Sequence, residues 1–418
     1  MAFSFFRSVR SLNPHLYRWR AILGVALIAV LAASHLALAA NNSVQGAKKD
    51  ESGLDVDAPT AILIDAQSGS VLFEKNADQL MPPSSMMKLM TAEVVFNALA
   101  KGDIKLTDEY RISENAWRRG GAPSGSSTMF AAINSRVSVD DLLHGALIQS
   151  GNDACIALAE GLAGSENDFA AMMTKRAREL GLMRSTFGNS NGLPNPANKM
   201  SVRELGQLAR HIILTYPEYY KLFGQRDFTW NKISQQNRNP LLTSLDGADG
   251  LKTGYTKEGG YGMVGSALQN DVRLIVVING LDSANDRAAE AKRLLEWGFK
   301  SFEARPLIDA NQIVGYGKVF GGDSGSVPLT SSEPIRVMVQ KNGSDKLTAR
   351  VVYQGPIRAP VKAGQQVGLF RVWRNNALAN EVPIHAAEAV GVGSTTRRAM
   401  DGVAELVIAL FRAGVEKL

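Results

Sequence analysis

Apolar and polar positions change rhythm several times along the chain, and each rhythm predicts an element. Ala61–Asp65 (AILID) and Ser70–Glu74 (SVLFE) are short apolar runs separated by Ala-Gln-Ser-Gly, the pattern of a β-hairpin. From about Ser84 to Ala100 the apolar positions Met87, Leu89, Met90, Val94, Val95 and Leu99 are too continuous for a surface helix, so a buried helix is predicted. Asp140–Leu147 and Asp153–Ala163 read as further helices, broken at Ser150-Gly151-Asn152. Ser201–Leu214 is another helix, with Ser201 as its cap. Strand patterns return at Gly262–Ala267 and Arg273–Ile278, and a last helix is predicted over Arg287–Phe302. Strands at both ends of a helical region imply an α+β fold, one mixed sheet flanked by helices.

After about Pro306 the texture changes to short alternating runs (Ile335-Arg-Val-Met-Val, Leu347–Tyr353, Gln366–Val372) separated by Gly and Pro, which predicts a small all-β domain. The ends differ again. Basic residues up to Arg20, the apolar run Ala21–Ala33 and the small residues Ala37 and Ala39 form the three regions of a cleavable export signal. The apolar run is short of the ~20 residues that a span needs. At the C-terminus Met400, Val403, Val407, Leu410 and Gly414 recur at helical spacing, with Asp401, Glu405, Arg412 and Glu416 on another face. That is an amphipathic helix, either lying in a membrane interface or docked on its own domain; its terminal place after Gly391 and Gly393 favours the membrane. The expected organisation is a signal peptide over 1–40, a polar tether over 41–57, a catalytic domain over 58–304, a β-rich domain over 305–390 and an anchoring helix over 394–418.

Composition narrows the function. At 418 residues the chain is long enough for two domains. Its net charge of +6 owes much to Arg7, Arg10, Arg18 and Arg20 in the signal, so the remainder is nearly neutral and gives no case for nucleic-acid binding. One cysteine, Cys155, excludes an internal disulfide and a cysteine-built zinc site; no metal and no cofactor is expected.

Of the five histidines only His144 and His211 fall in the main domain, and no G-x-S-x-G elbow occurs, so a Ser-His-Asp triad is poorly supported. Lysine is the alternative base. Ser85 and Lys88 stand three residues apart at the start of the buried helix, on one face. Burial disfavours the ammonium form, leaving a neutral amine able to take the serine proton. Lys252-Thr253-Gly254 offers carboxylate-binding groups on an edge strand, with a glycine that lets a substrate backbone approach. Ser150 and Asn152 sit in the break between two helices.

Each motif alone is weak, but S-x-x-K, S-x-N and K-T-G in this order are the signature of serine penicillin-binding proteins and β-lactamases. The flanks Pro83–Thr91, Gln149–Cys155 and Asp249–Thr256 closely resemble the low-molecular-mass D-alanyl-D-alanine carboxypeptidases. So do Phe228–Asn231, Asn237–Leu242, Leu294–Phe299 and Tyr353–Pro360, and the resemblance spans roughly residues 20–418. It implies a penicillin-binding, transpeptidase-like catalytic domain with Ser85 as acylated nucleophile, Lys88 as base and Ser150 as proton relay to the leaving amine. It assigns Asn152 to the substrate amide and Lys252, Thr253 and Arg287 to the terminal carboxylate. Gly254 gives close backbone approach, and the amides of Ser85 and Tyr255 form the oxyanion hole. The implied reaction removes the terminal D-alanine from peptidoglycan stems ending in D-Ala-D-Ala. β-Lactams would be covalent inhibitors, and the enzyme would be exported, periplasmic or on the outer face of the cytoplasmic membrane, held peripherally by its C-terminal helix. A D,D-endopeptidase, a β-lactamase and a catalytically idle wall-binding protein are the other readings. A β-lactamase would need a fast deacylation base, and no convincing glutamate motif supplies one. Ser84, Met87 and Tyr255 depart from the family pattern; none removes a catalytic group.

Overall fold

The structure is a computed structural model that describes residues 54–415; the signal segment, most of the tether and the last three residues lie outside the described residues. The hairpin forms from β1 (Thr60–Asp65) and β2 (Val71–Lys75). Its turn is held by the Asp65 carboxylate, which accepts from the Ser68 amide at 2.7 Å and hydroxyl at 2.6 Å. These two strands join β3 (Ala248–Thr256), β4 (Gly260–Gln269) and β5 (Val272–Leu281) in an antiparallel sheet of order β2-β1-β5-β4-β3. The chain therefore leaves the sheet after β2, builds its helices, and returns to complete it. The strand carrying Lys252-Thr253-Gly254 is an edge, so one row of its backbone groups is open to an extended partner.

Between β2 and β3 lie α1 (Lys88–Lys101), α2 (Glu114–Gly120), α3 (Val139–Leu147), α4 (Asn152–Ala163), α5 (Glu166–Glu179) and α6 (Val202–Thr215). The helix predicted from Ser84 begins as a 3-10 turn, Ser84–Met87, and continues as α1 until Gly102 ends it in the left-handed region (φ 77°). Every residue from Lys88 to Val95 in α1 is buried, as its continuous apolar pattern requires, and Phe96 stacks on Tyr219 at 5.1 Å. Full burial stabilises by about 1.5–3 kcal/mol per large apolar side chain, so α1 is a rigid shelf for whatever its first turn presents. Ser201 caps α6 by accepting from the Glu204 amide. The last helix, α7, covers Ala284–Ser301, three residues earlier than its apolar pattern suggests, because the Ser283 hydroxyl accepts from the Asp286 amide and starts it there. Helices α2 and α5 were not predicted; both are polar on much of their surface and start from serine caps, Ser113 and Ser165.

Phe302 is already strand. β6 (Phe302–Ile308) pairs with β9 (Ile335–Gln340), and a six-stranded sheet joins β7 (Ile313–Phe320), β8 (Ser326–Thr330), β10 (Leu347–Tyr353), β11 (Ile357–Arg358), β12 (Gln366–Arg374) and β13 (Ala377–Ala386). Its core is a separate apolar cluster around Val327, Leu329, Val337 and Ile384. Phe302 and Met338 belong instead to the cluster beneath the catalytic sheet, and Arg374 reaches across to the Val71 carbonyl at 3.0 Å. After β13 the chain enters α8 (Thr395–Val415). Its polar side is tied to the β domain: Arg397 donates to the Asp323 carbonyl, the Gly321 amide donates to Asp401, and Lys318 pairs with Glu405. Its other side leaves Met400, Val403 and Leu406 more than 60% exposed. Over residues 395–406 the helix is thus docked by one face and bare on the other. No helix among the described residues is long and apolar enough to cross a membrane.

Candidate active site

The 3-10 turn sets two adjacent serines on different courses. Ser84 adopts φ 51°, is buried, and its hydroxyl contacts Thr256 Oγ1 at 2.9 Å. Ser85 is turned to Lys88, whose Nζ lies 2.9 Å from its Oγ. The rival nucleophile is therefore occupied and the serine with the i+3 lysine is presented. Gly192 makes this turn possible. It has φ 84°, and a Cβ there would fall inside the Ser84 carbonyl, so only glycine lets the two segments meet.

Lys88 is fully buried. Besides Ser85, its Nζ donates to Asn152 Oδ1 at 2.8 Å and to the Asn191 carbonyl at 2.5 Å. Burial pulls its pKa from 10.5 down to about 8, with Arg238 adding repulsion and the Asp153 carboxylate opposing it. Cys155 would also oppose it as a thiolate, but burial pushes that thiol up to about 11 and keeps it neutral near pH 8. A neutral amine has two N–H bonds and one lone pair. With Asn152 and the Asn191 carbonyl taking the N–H bonds, the lone pair is left for the Ser85 hydroxyl.

The surrounding loops are fixed by two buried carboxylates that the sequence motifs do not reveal. Asp153 accepts from the Thr128 hydroxyl (2.6 Å) and from the amides of Met129 (2.9 Å), Ala131 (3.2 Å) and Ala154 (3.0 Å), tying the 127–131 segment to the start of α4. Burial raises its pKa against the effect of these bonds. Glu166, first residue of α5, accepts from the Ser190 hydroxyl (3.0 Å) and amide (3.3 Å) and from Asn191 Nδ2 (3.2 Å), and pairs with Arg119 at 3.2 Å. It holds the segment whose Asn191 carbonyl receives Lys88. The signals available were an aspartate directly after Ser150-Gly-Asn152 and the Asn-rich run Gly188–Asn198.

Above this machinery opens a cavity of about 300 Å³. Ser85, Ser150, Thr253, Gly254, Tyr255 and Arg287, all singled out in the sequence, line it. Asn152 is not among the residues that line it: its Nδ2 donates to the Ser126 hydroxyl at 2.9 Å, and its amide donates at 2.8 Å to the carbonyl of Ser127, which does line the cavity. Lys252 is not on the cavity wall: neighbours on a strand point to opposite faces, and it is buried, with Nζ 3.2 Å from the Thr253 carbonyl. Burial and the charge of Lys88 push its pKa well down. Gly254 brings β3 against the nucleophile turn, where a Cβ would stand 3.1 Å from the Met86 amide nitrogen. Arg287 lies over the Tyr261 ring at 5.6 Å, and Tyr261 stacks on Tyr255 at 4.2 Å. Three further residues that were not assigned a role in the sequence line it: Tyr261, and Ser127 and Arg238, which are joined by a 2.8 Å hydrogen bond; Arg238 falls in the run Asn237–Leu242. A larger hollow of about 740 Å³ in the β domain, beside Glu405 of α8, contains no comparable serine–lysine pair. Among the described residues no cluster of three or more His, Cys, Asp or Glu could hold a metal ion.

The whole arrangement is a serine activated by a desolvated lysine at the foot of an edge strand, a geometry for acyl transfer to an extended peptide. Comparison with known proteins agrees. Residues 45–283 match the D-alanyl-D-alanine carboxypeptidase peptidase family, and residues 302–392 match the C-terminal domain of penicillin-binding protein 5. The chain is 40% identical over 351 residues to the D-alanyl-D-alanine carboxypeptidase DacC of Escherichia coli (strain K12), covering 83% of this chain and 88% of that one. It is 38% identical over 316 residues to DacA of Haemophilus influenzae, covering 75% and 80%. The crystal structure of penicillin binding protein 5 from Haemophilus influenzae superposes with a TM-score of 0.72 at 35% identity, covering 83% of this chain and all of that one. The chain belongs to the D-alanyl-D-alanine carboxypeptidase family of serine peptidases, with the all-β C-terminal domain of penicillin-binding protein 5 attached.

Proposed function

We propose that this serine D,D-carboxypeptidase removes the terminal D-alanine from peptidoglycan stems through an acyl-enzyme on Ser85. The observation that carries the assignment is the Lys88 amine, buried, placed 2.9 Å from Ser85 Oγ and lowered to about pKa 8. The peptide lies along the edge strand β3, its terminal carboxylate held by Thr253 and Arg287 with Lys252 beneath. Lys88 takes the Ser85 proton as Oγ attacks the carbonyl between the two D-alanines. The amides of Ser85 and Tyr255 receive the oxyanion. Ser150 relays a proton to the departing amine, D-alanine leaves, and water then cleaves the ester to restore Ser85. A β-lactam presents a strained amide and a carboxylate to the same groups and acylates Ser85. Label from a fluorescent penicillin, mapped by peptide mass, is expected on Ser85 and absent in Ser85→Ala; a folded sample without label would sink the reading. D-Alanine release from a diacyl-D-Ala-D-Ala peptide, without cleavage of cross-linked dimers, separates it from an endopeptidase.

The same reading places the protein outside the cytoplasm, its signal removed near Ala39, and rests α8 on the membrane surface. The bare Met400, Val403 and Leu406 face supports this, because the polar face is already occupied by the β domain. Truncation after Gly393 is expected to abolish flotation with anionic vesicles while D-alanine release from a soluble peptide stays within about twofold, since α8 adds nothing to the catalytic cavity. Retained flotation would remove the anchoring role.

A further inference from the structure

The nucleophile turn and the edge strand meet at two contacts. Gly254 of β3 abuts Met86, whose amide nitrogen a Cβ would approach to 3.1 Å. Two residues on, Thr256 Oγ1 lies 2.9 Å from Ser84 Oγ, a contact across 172 residues of chain. Gly254 thus faces Met86 and Thr256 faces Ser84, so the segments 84–86 and 254–256 run antiparallel, with Ser85 and Tyr255 between the two contacts. These middle residues carry the two amides assigned to the oxyanion.

The two contacts act differently. Gly254 sets a limit on how near the strand can come, but it pulls on nothing. The attraction comes from the hydroxyl pair, and both of its ends are fixed. Ser84 is buried in the left-handed region, with its carbonyl against Gly192. Thr256 Oγ1 also accepts from the Gly259 amide at 3.0 Å. The Gly259 carbonyl in turn accepts from Asn279 Nδ2 at 3.0 Å, which ties the turn after Thr256 to β5, the middle strand of the sheet. A Cβ at Gly259 would stand 3.1 Å from Ser84 Oγ and 2.9 Å from the Pro82 carbonyl oxygen, so this turn is already packed on the nucleophile segment. Because Ser84 departs from the family pattern, the pair is a feature of this chain.

We propose that the Ser84–Thr256 hydroxyl pair is a latch that sets the gap between the two oxyanion donors, the amides of Ser85 and Tyr255. The inference rests on the D,D-carboxypeptidase reading and deepens it by adding two positioning residues to the acyl-transfer step. Neither of them lines the cavity. With the latch closed, the two N–H groups are held at the spacing that a carbonyl oxygen needs as it gains charge. With it open, β3 is free to move away from the turn, because an edge strand has a neighbour on one side only. A hole loosened in this way loses transition-state stabilisation, and with it the preference for oxygen over a larger atom.

The test uses two acyl-D-alanyl-D-lactate esters that differ in one atom, the scissile carbonyl oxygen or a sulfur in its place. D-Lactate release gives kcat/KM for each. The unmodified chain is expected to favour the oxygen ester roughly tenfold or more. Ser84→Ala is expected to lower kcat/KM on the oxygen ester about 5–20-fold and to shrink the oxygen-to-sulfur ratio by a similar factor. Thr256→Val should do the same, and the double variant should lose no more than either single one, because all three open one latch. Thr256→Ser keeps the hydroxyl and should restore both rate and ratio. Complete labelling by fluorescent penicillin, however slow, reports that a variant is folded. An unchanged ratio in a folded Ser84→Ala variant overturns the proposal even if the rate falls, since a general loss of structure lowers both esters together. Additive losses in the double variant overturn it too. If Ser84→Ala does not fold, the Thr256 pair of variants decides by the same ratio. An unmodified chain that turns over neither ester and takes no label would instead overturn the carboxypeptidase reading beneath it.

Discussion

At the scale of single residues the site depends on a lysine kept from its charge. Lys88 loses its proton as pH rises through about 8, so the competent base is scarce well below that pH and complete above it. Acylation by penicillin is therefore expected to rise about tenfold per pH unit on the acid side and to level near pH 8; a flat profile from pH 6 to 9 would contradict a lysine base. Glu166 acts on this base at one remove, by fixing the Asn191 carbonyl that takes one of its N–H bonds. Glu166→Ala is expected to lower the acylation rate by about 10–100-fold. It should also shift the acid limb of the profile, and Glu166→Gln should recover part of both. An unshifted limb would reduce Glu166 to a prop for the fold. These carboxylates were not legible in the sequence because their meaning is a contact. Glu166 reads as an ordinary acid after the Ser165 cap, and only folding brings it to Ser190 and Asn191. Ser85 and Lys88 were legible because a helix start alone puts i and i+3 together.

At the scale of elements, the nucleophile turn works because three segments converge on it. α1 supplies a buried shelf, β3 approaches through Gly254, and the 188–198 segment approaches through Gly192. Gly192→Ala combines a left-handed backbone with a clash against the Ser84 carbonyl, and about 2–4 kcal/mol of lost stability is expected in urea unfolding. A loss under about 0.5 kcal/mol would mean that the turn yields without cost. Periodicity found α1, α6 and the β1–β2 hairpin, since each buries a simple face. It missed α2 and α5, which bury a few side chains under long polar surfaces. Both announce themselves only by serine caps.

At the scale of the molecule, the β domain is joined to the catalytic domain by shared apolar packing at Phe302 and Met338 and by hydrogen bonds, among them those of Arg374 and Arg336. Arg374 donates to the Met338 and Val71 carbonyls and lies over Phe302 at 5.2 Å. Arg374→Ala is expected to separate the unfolding of the two domains in calorimetry, with penicillin labelling kept within about twofold because the cavity is untouched. A single unchanged transition would show that the Phe302 and Met338 packing and the remaining hydrogen bonds, such as Arg336 to the Asp271 carbonyl, suffice to couple them.

The sequence by itself determined what depends on spacing along the chain: the serine–lysine pair, the edge-strand Lys-Thr-Gly, the β-rich second half and the amphipathic end. Local geometry converts each of those patterns into structure without help from distant residues. Only the tertiary structure decided which serine is presented, which polar groups hold Lys88, that Lys252 lies under the cavity wall, and that Arg238 stands on it. Those facts arise where segments from 64 to 172 residues apart are packed together, and burial then fixes their charge. α8 joins both lessons: its pattern was written in the chain, and the β domain decided which face it leaves bare.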